Sequence, residues 1–465
     1  MGTTVLKFGG TSVADAEAID RVAAIVRRQL ESGGSAVVVV SALAKVTDAL
    51  IAAARLAEEG DAESAAARVN ELTERHLAVA AALTSGSARA TLSAAIGEEF
   101  AAVAGLVRAL AVLREVSPRS LDAVVAAGEL ASSRMVAAAF VDRGIPAVWI
   151  DARRLVVTDA EHTAALPDLD ATRARAQEVL APALGAGQLA VLGGFIGATP
   201  RGVTTTLGRG GSDYSAAIVG ASVDAREIQI WTDVDGMLTA DPRIIASPRL
   251  VHQLSFAEAS ELAYFGAKVL HPSTILPAVS RNIPVRILNS KRPEVTGTLI
   301  TADAARSAGE LAAIACKRDV TVIDITSTRM LMAHGFLRRL FEVFERFRTA
   351  VDVVTTSEVS VSVTVDDTRR LDAIVENLRT FADVACEPAM AIVCAVGENL
   401  RTDPAVFGRA VDALGRIPLR LVSQAASRRN VTFVLRDADV PEAMNRLHGA
   451  FFSRESADRE KPLFA

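Results

Sequence analysis

Short apolar runs that stop at a small or acidic turn recur along this chain, separated by helix-length segments. This alternation limits the possible folds more than any other feature. Thr4–Phe8 (TVLKF) breaks at Gly9-Gly10, and Ala36–Val40 (AVVVV) breaks at Ser41. "IPAVWID" (145–151), "LAVLGGFIGA" (189–198), "EIQIWTDVDG" (227–236) and "IPVRILNS" (283–290) repeat the pattern. A run that is apolar throughout, and not only at alternate positions, suits a strand covered on both faces. Between the runs, Ile19, Val22, Ile25, Val26 and Leu30 recur at helical spacing, and 47–57 reads as a second helix. Strands alternating with helices predict an α/β sandwich with a largely parallel sheet. Such sheets bind ligands beyond the carboxyl ends of their strands. Chemistry is therefore expected in the loops that end these runs.

Residues from about 58 to 140 are Ala-rich and helical without sustained heptads, which predicts packed helices and no coiled coil. The 465 residues, 50% of them hydrophobic, exceed one ordinary domain, so two or three are expected. After about residue 300 a polar stretch precedes a weak internal repeat. "AVDVVTTSEVSVSVTVDD" (350–367) resembles "PLRLVSQAASRRNVTFVLRDAD" (418–439). Each has a strand, a Ser/Thr/Gln turn, a second strand and acidic residues, with a preceding helix near 337–348 or 403–415. Two small βαββαβ-like units account for this. They carry no visible nucleophile, base or metal cluster, so binding or regulation is expected there.

A net charge of −5 without a basic stripe, and only 4% aromatic residues, argue against nucleic acid as a partner. Three cysteines, Cys316, Cys386 and Cys394, fit a reducing compartment. The N-terminus has no basic region followed by a long apolar run, and no uninterrupted apolar stretch nears the roughly 20 residues of a membrane span. A cytoplasmic, soluble protein is the expectation.

Five loops carry candidate chemistry. In "KFGGTSV" the glycines let backbone approach a phosphate, the next helix offers its positive end, and Lys7 adds an ammonium. The lysine precedes the glycines, so this is not the Walker pattern, and a strand lysine beside a tight turn reads equally well. Ser41 offers a hydroxyl to a phosphate, and Thr47 either lines the same loop or caps the next helix. In "TTTLGRGGSDYSAA" (204–217) Arg209 between glycines suits a carboxylate or phosphate. Asp213 there either caps a helix or grips an ammonium. In "WTDVDGMLTADPR" (231–243) Asp233 suits a nucleotide or its metal, and Asp235 reads equally well as a site residue or as an exposed Asp-Gly turn. In "YFGAKVLHPST" (264–274) Lys268 suits a nucleotide, and His271 beside Pro272 reads as a structural cap. Glu129 sits among small residues in "AAGELASSRM" (126–135), where a helix can pack closely. The remaining histidines, His76, His162, His252, His334 and His448, are scattered without metal-ligand spacing.

Taken together, "KFGGTSV", "TTTLGRGGSDYSAA", "WTDVDGMLTADPR" and "FGAKVLHPST" resemble the signatures of the aspartokinase family, in order and spacing, over nearly the whole chain. "FLRRLFEVFERFRTAVDVVTTSEVSVSV" (336–363) resembles the first of that family's two ACT regulatory modules. The resemblance implies an amino-acid-kinase fold over 1–300, a linker and first ACT domain over 301–388, and a second, intertwined ACT domain over 389–465. It implies a monofunctional enzyme, most similar to the lysine-sensitive branch. The implied reaction is ATP-dependent phosphorylation of the L-aspartate β-carboxylate, opening the aspartate-family amino-acid pathway, with Mg2+ carried in by ATP and no dedicated protein metal site.

By motif, the resemblance gives Lys7, Arg209 and Asp213 catalytic roles, and Thr47, Glu129, Arg209, Ser212 and Asp213 the substrate. Lys7, Phe8, Gly9, Gly10, Ser41, Thr232, Asp233, Leu238, Arg243, Lys268 and Val269 are implied on the ATP side. Met330, Met332, Gly335, Phe336, Leu337, Val351, Asp352, Thr356, Ser357 and Glu358 are implied at an effector site. Two departures stand out: Leu238 replaces a tyrosine frequent in the family, and Met332-Ala333 replaces a His-Ser pair usual in lysine-inhibited relatives. Lysine is the effector implied, with threonine or no inhibition as the alternatives, and a homodimer or homotetramer through the ACT domains is expected. The rival readings are a kinase of the same fold acting on glutamate or acetylglutamate, and an inactive amino-acid sensor. The paired ACT tail argues against the first, and intact Lys7, Arg209 and Asp213 against the second.

Overall fold

The computed structural model describes residues 2–266, 272–304, 310–327, 334–424 and 427–453. They form two compact units: Met1–Met237 with His252–Phe256 and Val269–Ala304, and Leu238–Val251 with Ala257–Lys268 and Ala305–Ala465.

In the first unit β1 (Thr4–Phe8), α1 (Ala16–Glu31) and β2 (Ala36–Val40) lead into a helical block, α2 (Val46–Glu58), α3 (Ala62–Leu83), α4 (Gly86–Leu113) and α5 (Pro118–Asp142). There follow β3 (Ala147–Trp149), α6 (Leu169–Val179), α7 (Ala181–Gly185), β4 (Leu189–Gly193), β5 (Ile196–Ala198), β6 (Thr204–Thr206), α8 (Gly211–Ser222) and β7 (Glu227–Thr232). The series closes with β8 (Gln253–Ser255), α10 (Leu276–Ser280), β9 (Val285–Asn289) and β10 (Thr298–Thr301), while α9 (Phe256–Tyr264), which follows β8 in the chain, falls in the second unit from Ala257 on. The main sheet runs β3-β4-β2-β1-β7-β9-β10-β8, and only the β9–β10 pairing is antiparallel. A three-layer sandwich with a largely parallel sheet is thus present. β5 and β6 make a separate antiparallel hairpin that the apolar pattern did not announce.

Strand alternation sorts side chains between the two helical layers. Leu6 and Phe8 of β1 join Val38 and Val40 of β2 in the core shared with α1 to α5. Lys7 points the other way, to the layer holding α8. Helix α5 is long and apolar enough to cross a membrane, but 83% of its apolar window is buried inside this fold. It is a core helix.

The second unit contains β11 (Leu311–Thr326), α11 (Phe336–Arg346), β12 (Val354–Thr356), β13 (Ser360–Val365), α12 (Leu371–Arg379), β14 (Asp383–Gly397), α13 (Pro404–Leu414), β15 (Leu421–Ser423), β16 (Asn430–Arg436) and α14 (Val440–Phe452). They form one antiparallel sheet, β12-β13-β11-β14-β16-β15. β11 and β14 are long enough to serve two modules each. The far half of β11 pairs with β13 and with the start of β14, over a core of Ile323, Leu340, Phe344, Val363 and Leu378. The near half pairs with the end of β14, which continues to β16 over a core including Ile314, Val393, Phe433 and Leu447. The first module therefore sits within the chain of the second.

Candidate functional site

The strand register lines up the loops. Phe8 lies opposite both Val40 and Trp231, and Val40 opposite Gly193. Gly9, Ser41, Gly194 and Thr232 therefore leave the sheet side by side at its carboxyl edge, where a ligand is expected. Between these loops lies a cleft of about 410 Å³, an ordinary size for a small-molecule site. Its lining includes Lys7, Gly10, Ser41, Thr47, Glu129, Arg209, Ser212 and Asp213. Loops more than 200 residues apart in sequence are brought to one place.

Close packing of the loops fixes the cleft. A Cβ on Gly10 would stand 2.9 Å from the Ala42 carbonyl oxygen, so only glycine lets the first turn meet the second loop. Ala44 N donates to Gly10 O, and Ser132 Oγ on α5 donates to Ser41 O at 2.7 Å. From α3, Arg75 donates to the carbonyls of Ala44 and Ala14, tying both loops from beneath.

The cleft holds one ion pair and further ionisable side chains. Lys7 Nζ lies 2.7 Å from Asp213 Oδ1, and both side chains are largely buried. Glu129 is buried on α5; its Oε1 accepts only a long 3.4 Å bond from Ala42 N, and Oε2 has no hydrogen-bond partner among the described residues. Burial pushes its carboxyl up to about 8, although the backbone N–H of Ala42 acts to lower it. Arg209 is exposed between Gly208 and Gly210, its guanidinium facing the same cleft. A buried carboxyl, a lysine–aspartate pair and a free-standing guanidinium can hold the ammonium and carboxylate of an amino acid and still leave a cation for a phosphoryl group.

Several expectations need correction. Thr47 is not a helix cap: Lys45, with φ 66°, precedes α2, and Thr47 lies in its first turn. Asp213 is not one either, because Gly210, with φ 72°, caps α8 and Asp213 falls inside the first turn. Gly9 does not offer its N–H to a phosphate, since the sheet register continues one residue and the group donates to Trp231 O at 3.1 Å. Phe8 does not line this cleft: its fully buried ring stacks on Trp231 at 6.0 Å, on the core side of β1. Asp235 is not an exposed turn residue; it is partly buried and bonds Asn289 and Arg292.

Thr232 and exposed Asp233 end β7 beside β1 but do not line this cleft. Leu238 and Arg243 belong to the second unit; Leu238 bridges to Leu250, and Arg243 pairs with Asp241. Lys268, Val269, His271, Met330 and Met332 lie outside the described residues. Lys45 also lines the cleft and was not anticipated. The run "SALAKV" placed a cation near Ser41 but gave no sign of its left-handed backbone.

Within the second unit, Gly335 (φ 84°) precedes α11, where Phe336 packs edge-on against Phe381 and Leu337 is exposed. Val351 is partly buried, while Thr356, Ser357 and Glu358 are exposed around the β12–β13 turn. The Ser357 Oγ lies 2.6 Å from Ser360 Oγ and accepts from Ser360 N, which shapes this turn. The Asp352 carboxylate is buried and holds Lys317 Nζ at 2.8 Å and the Tyr264 hydroxyl at 2.8 Å. Lys317 also reaches Asp366 at 2.7 Å.

Fold and cleft together define a kinase that handles a small amino acid. Residues 2–289 match the amino acid kinase family, and residues 393–451 match the ACT domain. Aspartokinase 3, chloroplastic, of Arabidopsis thaliana is 36% identical over 98% of this chain and 83% of its own. E. coli aspartokinase III in complex with aspartate and ADP (R-state) superposes with a TM-score of 0.83 at 34% identity, over 97% of this chain and 100% of that one. Its complex with lysine and aspartate (T-state) gives 0.82 at 34% identity, with the same coverage. The chain belongs to the aspartokinase family.

Proposed function

We propose that this chain transfers the γ-phosphoryl group of ATP to the β-carboxylate of L-aspartate, giving 4-phospho-L-aspartate and ADP, the entry reaction of aspartate-family amino-acid synthesis. The observation that carries this reading is the gathering of Lys7, Glu129, Arg209 and Asp213 in one cleft at the carboxyl edge of the sheet.

The chemistry suits those groups. An aspartate side chain has a pKa of about 3.9, so the nucleophile is already ionised at neutral pH and needs no general base. The obstacle is bringing an anion to a triphosphate, so catalysis is positioning plus positive charge. Arg209 takes the α-carboxylate bidentately. Glu129 takes the ammonium, losing its proton as the cation arrives, and Thr47 lies by the β-carboxylate. Lys7 exchanges Asp213 for the transferring phosphoryl oxygens, and Asp213, released, faces the substrate ammonium. Gly10, Ser41 and Ser212 lie against the phosphates and substrate. A β-carboxylate oxygen then bonds to γ-phosphorus as the bridging oxygen leaves with ADP.

Among the described residues no group of three or more His, Cys, Asp or Glu could hold a metal ion. On this reading Mg2+ enters bound by nucleotide phosphates and water. Feedback inhibition by lysine through the ACT modules is part of the proposal, as is a homodimer or homotetramer formed through them. The likeness to the lysine-bound E. coli structure supports lysine over threonine.

A hydroxamate assay with ATP, Mg2+ and aspartate, run with and without lysine or threonine, tests both parts. Aspartate-dependent hydroxamate that lysine suppresses is the expected result. Product from glutamate or acetylglutamate but not aspartate would reject the substrate assignment.

A further inference from the structure

The geometry points to Asp122 and His162 as positioning residues for the turn that carries Arg209, and hence for recognition of the substrate's α-carboxylate. The inference rests on the aspartate-kinase reading above.

Asp122 lies on α5 seven residues before Glu129, two helical turns along the same face. Its side chain is fully buried and lies outside the cleft lining. A buried carboxylate is tolerated only when donors surround it, and here three converge. Thr206 Oγ1 donates at 2.6 Å and Thr163 N at 3.1 Å to Oδ1, while His162 Nδ1 lies 2.7 Å from Oδ2.

Those donors flank the Arg209 turn on both sides. Thr206 ends β6, three residues before Arg209. Ala165 N donates to Thr206 O, so the 162–165 segment runs against the same strand end. Gly208 has φ 75°, and a Cβ there would stand 3.1 Å from the Thr163 carbonyl oxygen, so the turn rests directly on Thr163. Thr163 itself has φ 71°, a conformation that a β-branched residue rarely adopts. Such backbone persists where surrounding contacts over-determine it. Here the contact is the bond from Thr163 N to Asp122, with His162 holding the other carboxylate oxygen.

One carboxylate thus joins the helix carrying Glu129 to the turn carrying Arg209. These two residues grip opposite ends of one amino acid, so their separation decides how well it binds. His162 is the member to vary, because its side chain is 15% exposed whereas Asp122 is wholly buried.

Steady-state kinetics on the full chain test the assignment through a split between the two substrates. His162→Ala is expected to raise KM for aspartate about tenfold, since small displacements of binding groups are costly, with KM for ATP within about twofold of wild type. His162→Gln, whose amide can still donate to Asp122, is expected to restore most of the loss. Thr206→Val should reproduce the pattern, and it decides the matter should Asp122→Asn fail to fold. In an Arg209→Ala background, His162→Ala should add less than about twofold, because the group it positions is gone. An unchanged aspartate KM in folded His162→Ala, an equal rise in both KM values, or full additivity with Arg209→Ala would overturn the role. A wild-type chain that releases no ADP with aspartate would overturn the function reading, and this proposal with it.

Discussion

Lys7 and Asp213 meet at 2.7 Å across the mouth of the sheet, one from the end of β1 and the other from the first turn of α8. The pair satisfies a mostly buried ammonium, which in the proposed mechanism turns to the transferring phosphoryl group. The lysine precedes its glycines because it works from the strand end, on the face opposite the core residue Phe8.

Lys7→Ala should therefore lower kcat at least about 100-fold, the usual cost of removing one group that stabilises developing charge. Thermal unfolding should still show a cooperative transition. Near-normal turnover in a folded mutant would remove Lys7 from the mechanism.

Glu129 gives a pH dependence with a defined sign. Burial raises its carboxyl from the ordinary 4.5 to about 8, so between those values the native chain holds a proton that the unfolded chain has lost. Stability should decline as pH rises through that window. Affinity for the substrate ammonium should move the other way, because binding below pH 8 must first expel the proton. KM for aspartate is expected to fall by up to about tenfold per pH unit from pH 6 towards 8. Glu129→Gln should bind aspartate weakly with a flat profile. A wild-type KM that does not change with pH would show that Glu129 is already ionised.

Much of this site was legible in the sequence because its loops end uniformly apolar runs: β1 and β2 have the bounds their residues predicted, and Lys7, Ser41, Glu129, Arg209 and Asp213 share one cleft. What could not be read was what depends on direction and distance. Phe8 and Lys7 are neighbours in sequence, yet the pleat sends one to the core and the other to the cleft. The strand that completes the second regulatory module, the near half of β11, lies more than 70 residues before its partner β14, so no local repeat could reveal it. Nothing in the sequence sets Asp122 apart, because its partners on β6 and in the Thr163 loop come from more than 40 residues away.

Gly10 is a simple test of cleft geometry. A methyl group at Gly10 would press on the Ala42 carbonyl at 2.9 Å, and neither backbone can yield easily. Gly10→Ala should cost about 1–3 kcal/mol of stability, as overpacking commonly does. It should also raise KM for both substrates, because the first two loops separate together. A variant with wild-type Tm and KM would show that the loops move apart freely. Hydrogen exchange at 42–46 would then be fast in the wild type as well.

Asp352 makes the regulatory prediction specific. Asp352, one of the residues implied at the effector site and the one suited to an effector's ammonium, already holds an ammonium from within the chain, that of Lys317, along with the Tyr264 hydroxyl. Its Oδ2 is buried without a hydrogen-bond partner among the described residues, leaving one further acceptor for an incoming cation. Free lysine would then add to, or displace, a contact of its own chemical kind. Asp352→Ala should abolish lysine inhibition and leave uninhibited kcat within about twofold, with a loss of Tm because Lys317 loses one of its two carboxylate partners. Lys317→Met should keep inhibition and strengthen it, since the internal competitor is gone. Inhibition curves for the two variants decide the matter: full lysine sensitivity in Asp352→Ala would place the effector elsewhere, and loss of inhibition in Lys317→Met would make Lys317 part of the binding site instead of its competitor.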